Sequence, residues 1–94
     1  MHRASTQPLK VNQSLDVRAL AVPADYLKAK ECLEALGEDR VLELYIVDGE
    51  PMRRIPFGLR AEGYEILVSE PATNGVRLLV RKRASLKGEE GSQR

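Results

Sequence analysis

Four short segments of the chain alternate apolar and polar residues with the period of a half-buried strand. The alternating segments are SLDVRAL (14–20), VLELYIV (41–47), YEILVSE (64–70) and VRLLVRK (76–82). An Asn-Gly pair at 74–75 lies between the last two segments and is typical of a tight hairpin. The pattern therefore predicts four strands, each with one apolar face, and the last two form a hairpin.

Between the first three strands the apolar spacing changes to three and four residues, which is typical of an amphipathic helix. In the first interval the residues at this spacing are Val22, Tyr26, Ala29, Leu33 and Leu36. Pro23 suits the first helical position, and Gly37 provides the helix end. In the second interval, residues 51–63, Pro56 is tolerable only near the first turn and therefore predicts a short helix.

The predicted order βαβαββ indicates an α/β (α+β) two-layer sandwich. Short connections and right-handed crossovers favour a mixed four-stranded sheet with both helices on one face. Polar, aperiodic sequence at the two ends predicts a flexible arm at 1–13 and a flexible tail at 84–94. One domain, residues 14–83, remains between them.

Composition narrows the classes of function. The 94 residues are 43% hydrophobic and 31% charged, and 15 Lys and Arg against 14 Asp and Glu give a net charge of +1. Such a balance is not typical of a protein that neutralises many phosphates. One cysteine and one histidine cannot form an internal disulfide or a metal cluster of soft ligands, so no metal or cofactor is expected. Because no apolar run has the length of a signal peptide or a membrane span, we expect a soluble cytoplasmic protein, either a monomer or a weak homodimer.

The stretch LDVRALAVPADYLKAKECLEAL (15–36) resembles the opening of the TusA/SirA-like sulfur-carrier proteins. In that family a strand of the type L-D-x-R-G leads into Cys-Pro-x-Pro and an amphipathic helix. The resemblance continues through VLELYIVDGEPMRRIPFGLRAEGYEI (41–66) and covers about residues 14–82. It implies an exposed cysteine at a helix N-terminus, which takes a persulfide sulfur from a cysteine desulfurase and passes it on, for example towards tRNA thiolation.

The motif cysteine of that family is replaced in this chain. Val22 stands at its position, Pro23 matches the first proline, and Asp25 replaces the second. A valine has no nucleophilic atom, and a carboxylate one turn from a thiolate would raise the pKa of the thiol. The same carboxylate stabilises a helix N-terminus. The resemblance therefore implies a site without its reactive atom and with no catalytic residue.

Cys32 is the alternative nucleophile. It falls nearly three turns into the predicted helix, beside Glu31 and Glu34, where the N-terminal dipole contributes little. This position favours a semi-buried structural cysteine, and persulfide transfer through Cys32 stays open as an alternative.

RNA binding through a basic surface is a second alternative. The basic residues concerned are Arg53, Arg54, Arg60, Arg77, Arg81, Lys82 and Arg83. Glutamates are interleaved with them, and the chain has one Phe, three Tyr and no Trp for stacking bases. The pattern favours a solvated, salt-bridged face over a nucleic-acid interface.

The sheet face without helices is a candidate interface for a protein partner. Strand alternation places on it Tyr45, Leu67 and Leu79, among Glu43, Glu65, Arg77 and Arg81. An apolar cluster at the centre of an uncovered face can dock a partner or a second copy. We therefore interpret the chain as a non-catalytic binding or regulatory module in sulfur transfer or a related pathway, whose partner is a sulfur-relay component or another protein.

Overall fold

The computed structural model describes residues 10–82 and confirms the predicted order βαβαββ. Its elements are β1 (Gln13–Asp16), α1 (Ala24–Leu36), β2 (Val41–Ile46), α2 (Glu50–Ala61), β3 (Tyr64–Ala72) and β4 (Gly75–Lys82). Sheet pairing extends into the segment predicted as an arm, because Asn12 exchanges two hydrogen bonds with the backbone of Val41. Residues 1–9, Arg83 and the predicted tail 84–94 lie outside the described residues.

The four strands form one mixed sheet in the order β1-β2-β4-β3. β1 runs parallel to β2, while β4 is antiparallel to both β2 and β3. β3 and β4 are joined by the predicted hairpin, in which Asn74 adopts the left-handed conformation with φ of 61°. The predicted two-layer α+β architecture, with a mixed four-stranded sheet, is therefore confirmed.

The hydrophobic core lies between the two helices and one face of the sheet. It is formed mainly by fully buried side chains of both layers: Val17, Ala29, Leu33, Leu42, Leu44, Ile46, Ile55, Leu59, Leu78 and Val80. The helices also contact each other closely at Gly58, where a Cβ atom would lie 2.8 Å from the ring of Tyr26. Burial of both apolar helix faces against one sheet face is what fixes the two N-termini side by side.

The start of α1 differs from the sequence prediction by one residue, and this changes the position of Val22. Pro23 is the residue before the helix, which begins at Ala24. Val22 therefore lies outside the helical face on which its spacing placed it, and 62% of it is exposed. The expectation that Val22 continues the buried stripe of Tyr26 and Ala29 is wrong.

The second helix is longer than Pro56 predicted. α2 has 12 residues and continues past Pro56 to Ala61. A proline at this position removes one intrahelical hydrogen bond, which normally ends or kinks a helix. Here the proline ring is itself buried, between Ile55 and Leu59 on the core face. Packing against the sheet stabilises the helix enough to offset the missing bond, as it does for most helices in proteins.

A bulge in β3 changes the alternation on the face opposite the helices. Ile66 pairs with Val80, but the next pair joins Val68 to Leu79, so Leu67 has no opposite residue of its own. Strict alternation assigned Leu67 to the row that contains Leu79. In the sheet Val68 occupies that place, because the inserted residue shifts the register by one.

Candidate functional site

The N-terminus of α1 presents an apolar surface at the position of the implied sulfur site. Val22 precedes Pro23 through a cis peptide bond, and Leu20 beside it is 41% exposed. A shallow recess adjoins these residues on the outer face of α1, where its apolar lining comes from Leu20, Ala24 and Leu27. An exposed valine next to such a recess can contact a partner but cannot accept or donate a sulfur atom.

Asp25 follows this surface and is a buried carboxylate, with 4% of the residue exposed. Its Oδ2 accepts a hydrogen bond from Nη2 of Arg54 at 2.9 Å, and its Oδ1 accepts one from the N–H of Tyr26 at 2.7 Å. Arg54 also donates from Nε to Glu50 at 2.7 Å. The Arg54 guanidinium holds the pKa of Asp25 below its ordinary value although burial opposes this.

The Asp25–Arg54 pair ties the first turn of α1 to the second turn of α2. The side chain of Arg54 is 26% exposed and that of Asp25 only 6%, so the pair is mostly removed from water. A buried carboxylate that is already neutralised by a guanidinium has little charge left to act on a neighbouring atom. The pair therefore has a positioning function at this end of the molecule.

Cys32 lies near the middle of α1 and is half-buried against the core. Burial raises the pKa of its thiol, and the carboxylate of Glu31 acts in the same direction, while Lys28 acts against them. Burial is the largest of these effects, and it disfavours the thiolate, which is the nucleophilic form. The positive charge of Lys28 therefore does not compensate for burial at this site.

Cys32 is expected to react slowly with iodoacetamide in the folded protein. At pH 7 we expect alkylation more than about tenfold slower than in the same chain unfolded in urea, since burial withholds the thiolate. The rate should still rise through pH 9, because the pKa lies above its ordinary value of 9.0. Equal rates for the folded and unfolded chains would show an accessible, reactive thiol.

The face opposite the helices combines apolar residues with ion pairs. Tyr45 is half-buried, and its hydroxyl donates to Glu43, which also accepts a hydrogen bond from Nε of Arg77 at 2.6 Å. Leu79 pairs with Glu43 across the strands and is only 5% exposed, while Leu67 is half-buried. None of the three residues predicted as an apolar docking cluster is fully exposed, so the cluster offers a partner little apolar surface.

The basic residues considered for RNA binding are divided between paired and unpaired groups. Arg54, Arg77 and Arg81 each bind carboxylates, the last of them Glu65 at 2.9 Å. Hydrogen bonds from Ser14 and Arg77 lower the pKa of Glu43, so this carboxylate stays charged beside its partners. Within residues 10–82, only a part of the predicted basic surface therefore presents free positive charge.

Sequence reasoning missed the pairing of Asp25 with Arg54. The two residues are 29 positions apart, and Arg54 was grouped with the exposed arginines around it. A local signal existed, since Arg54 is one turn after Glu50 on the same helix and forms the expected ion pair with it. That signal indicates which face Arg54 occupies, but it does not identify Asp25.

The described residues offer neither a metal-binding cluster nor a membrane-spanning helix. Within residues 10–82 no group of three or more His, Cys, Asp or Glu side chains is arranged to hold a metal ion. Among the same residues, neither helix has the length and apolar character that a membrane crossing needs.

Comparison with known proteins shows a similarity in sequence to a sulfur carrier. No protein-family model matches the chain. Over 69 residues the chain is 32% identical to a protein of Archaeoglobus fulgidus named "Putative sulfur carrier protein". The match covers 72% of this chain and 77% of that protein.

Proposed function

The chain belongs to the sulfur-carrier protein family, and on that premise we propose that it is a TusA/SirA-like member that binds a protein partner without carrying sulfur itself. The observation that supports this most directly is Val22, an exposed apolar residue at the helix N-terminus where the resemblance implies a cysteine. An exposed apolar surface lies at that position, whereas the reactive atom is absent. A protein of this kind can occupy a partner's docking site without receiving its cargo.

Cys32 does not compensate for Val22 in this proposal. A carrier thiol must attack the outer sulfur of a donor persulfide, so it has to be exposed and deprotonated. Cys32 is half-buried and the pKa of its thiol is raised. It also lies well beyond the first turn of α1, outside the range of the helix dipole.

Sulfur loading tests the proposal directly. The purified protein and the variant Cys32→Ser are each incubated with a cysteine desulfurase and cysteine, and their intact masses are measured. We expect no one-sulfur increase in either protein, because neither presents an exposed thiolate. A sulfur carrier with its motif cysteine, treated in parallel, shows that the desulfurase is active.

One result would overturn the proposal. A one-sulfur increase in the wild-type protein that disappears in Cys32→Ser would make Cys32 a relocated carrier thiol. The chain would then be a sulfur transferase rather than a binding module.

A further inference from the structure

The outer face of α2 carries an exposed phenylalanine between two arginines. Phe57 is 74% exposed, which is the highest value among the large hydrophobic residues that are exposed in the described part of the chain. Arg53 lies four residues before it and Arg60 three residues after it, and both are exposed. Residues at these spacings are neighbours on a helix surface, so the three form one continuous stripe. We call Arg53, Phe57 and Arg60 the α2 stripe.

The two arginines of the α2 stripe differ from Arg54 on the same helix. Arg54 is held by Asp25 and Glu50, whereas within residues 10–82 neither Arg53 nor Arg60 forms an ion pair. The fold therefore neutralises the guanidinium that faces α1 and leaves two guanidinium groups free on the side that faces solvent. An exposed aromatic ring between free arginines has the composition of a protein-interface hot spot.

From this arrangement we propose that the α2 stripe docks an acidic protein partner, whose surface offers carboxylates on either side of an apolar contact for Phe57. Two free guanidinium groups about two helical turns apart match carboxylates that are presented at a similar spacing, as on one face of a partner helix. The ring of Phe57 would supply apolar burial, and the arginines would supply orientation and salt-dependent attraction.

The chemistry of the stripe favours a protein over a nucleic acid. Surfaces that bind single-stranded RNA combine positive charge with several aromatic rings on which successive bases stack. The α2 stripe has one ring, so it does not offer stacking positions for successive bases. A protein partner that binds through one apolar contact and flanking charges needs only one aromatic ring.

The sheet face of a second copy of this chain is a poor match for the same surface. The acidic residues on the sheet face opposite the helices are already bound to arginines, as in Glu43–Arg77 and Glu65–Arg81. Breaking those pairs to form new ones would return little free energy, because one ion pair would replace another.

The inference does not depend on the proposed function, since a sulfur-loaded carrier could use the α2 stripe equally well.

The test reverses the charge of a peptide probe and, separately, the charge of the α2 stripe. The probe is a synthetic helical peptide in which glutamates lie one turn before and one turn after a leucine, and its counterpart has lysines at the same positions. Binding to the full chain is followed by NMR titration at low and high salt. We expect the acidic peptide to shift the amide signals of Arg53, Phe57 and Arg60, and the lysine peptide to leave them unchanged.

Charge reversal gives the decisive comparison. Arg53→Glu/Arg60→Glu should weaken binding of the acidic peptide by about tenfold or more and create binding of the lysine peptide. The control Lys10→Glu/Arg40→Glu produces the same change in net charge at exposed residues outside α2 and should keep the acidic peptide within about twofold. Phe57→Ser should weaken binding while leaving its salt dependence unchanged.

Three outcomes would overturn the proposal. If the two double variants weakened binding of the acidic peptide equally, the attraction would depend on net charge alone. Binding of single-stranded oligouridine through the same three residues, with no response to the acidic peptide, would make the stripe a nucleic-acid contact. Concentration-dependent dimerisation of the wild-type chain that is lost in Phe57→Ser would identify a second copy as the occupant.

Discussion

Replacing Val22 by cysteine is expected to convert a protein that accepts no sulfur into one that a cysteine desulfurase loads with a single sulfur atom. The new thiol would be exposed, because Val22 is 62% exposed, and it would lie just before the N-terminus of α1. The positive end of the helix lowers the pKa of a thiol in this position. Its thiolate could then attack the outer sulfur of the donor persulfide, and the desulfurase cysteine would leave as a thiolate.

The neighbouring carboxylate does not prevent this gain. From the sequence alone, Asp25 is expected to oppose a thiolate one turn away. In the structure its charge is compensated by Arg54, whose Nη2 lies 2.9 Å from the carboxylate. An ion pair exerts a much weaker field on the thiol than an isolated carboxylate would.

The matched control places a cysteine at the other end of the same helix. Val22→Cys and Ala35→Cys are both made in the Cys32→Ser background, and intact mass is measured after incubation with desulfurase and cysteine. Ala35 is exposed in the last turn of α1, where the dipole disfavours a thiolate. We expect loading of Val22→Cys only. Equal loading of both variants, or of neither when a motif-cysteine carrier is loaded, would contradict the prediction.

Replacing Arg54 by methionine is expected to reduce the free energy of unfolding by about 3 kcal/mol, the lower end of the range for breaking a buried ion pair. The lower end applies because the side chain of Arg54 is 26% exposed, so water screens part of the attraction. Methionine keeps the length of the aliphatic stem and leaves the Asp25 carboxylate buried without its cation. Urea denaturation measures the change, and Arg53→Met on the same helix should stay within about 0.5 kcal/mol.

The pH dependence identifies Asp25 as the cause of that loss. In the wild-type protein Arg54 holds the pKa of Asp25 below its ordinary value of 3.8, so the stabilisation is complete above this value and is lost as the pH falls through the lower folded pKa. Without the guanidinium, burial raises the pKa of Asp25 above its unfolded value. Protonation of Asp25 then removes the buried unpaired charge and restores part of the variant's stability. The difference in stability should therefore narrow as the pH falls from about 7 towards 4. A difference that is constant over this range would assign the loss to packing instead.

Much of the architecture follows from local sequence, and the exceptions have identifiable causes. The order of strands and helices was predicted correctly because alternation and helical spacing depend on residues that are close along the chain. Pro56 gave the wrong helix length, since the prediction weighed the missing hydrogen bond but not the burial of the proline ring. The bulge at Leu67 was not predicted, because VRLLVRK and YEILVSE alternate equally well with or without an inserted residue.

At the candidate site, the chain by itself determined which atoms are present. Valine at position 22 and a single cysteine at position 32 are facts of the sequence, and they alone remove the expected nucleophile from the helix start. Only the tertiary structure decided which charges remain available there. α2 carries three arginines, and the packing of α1 beside α2 pairs Arg54 with Asp25, while Arg53 and Arg60 are exposed. That choice depends on distances between residues far apart in the chain, which local patterns do not encode.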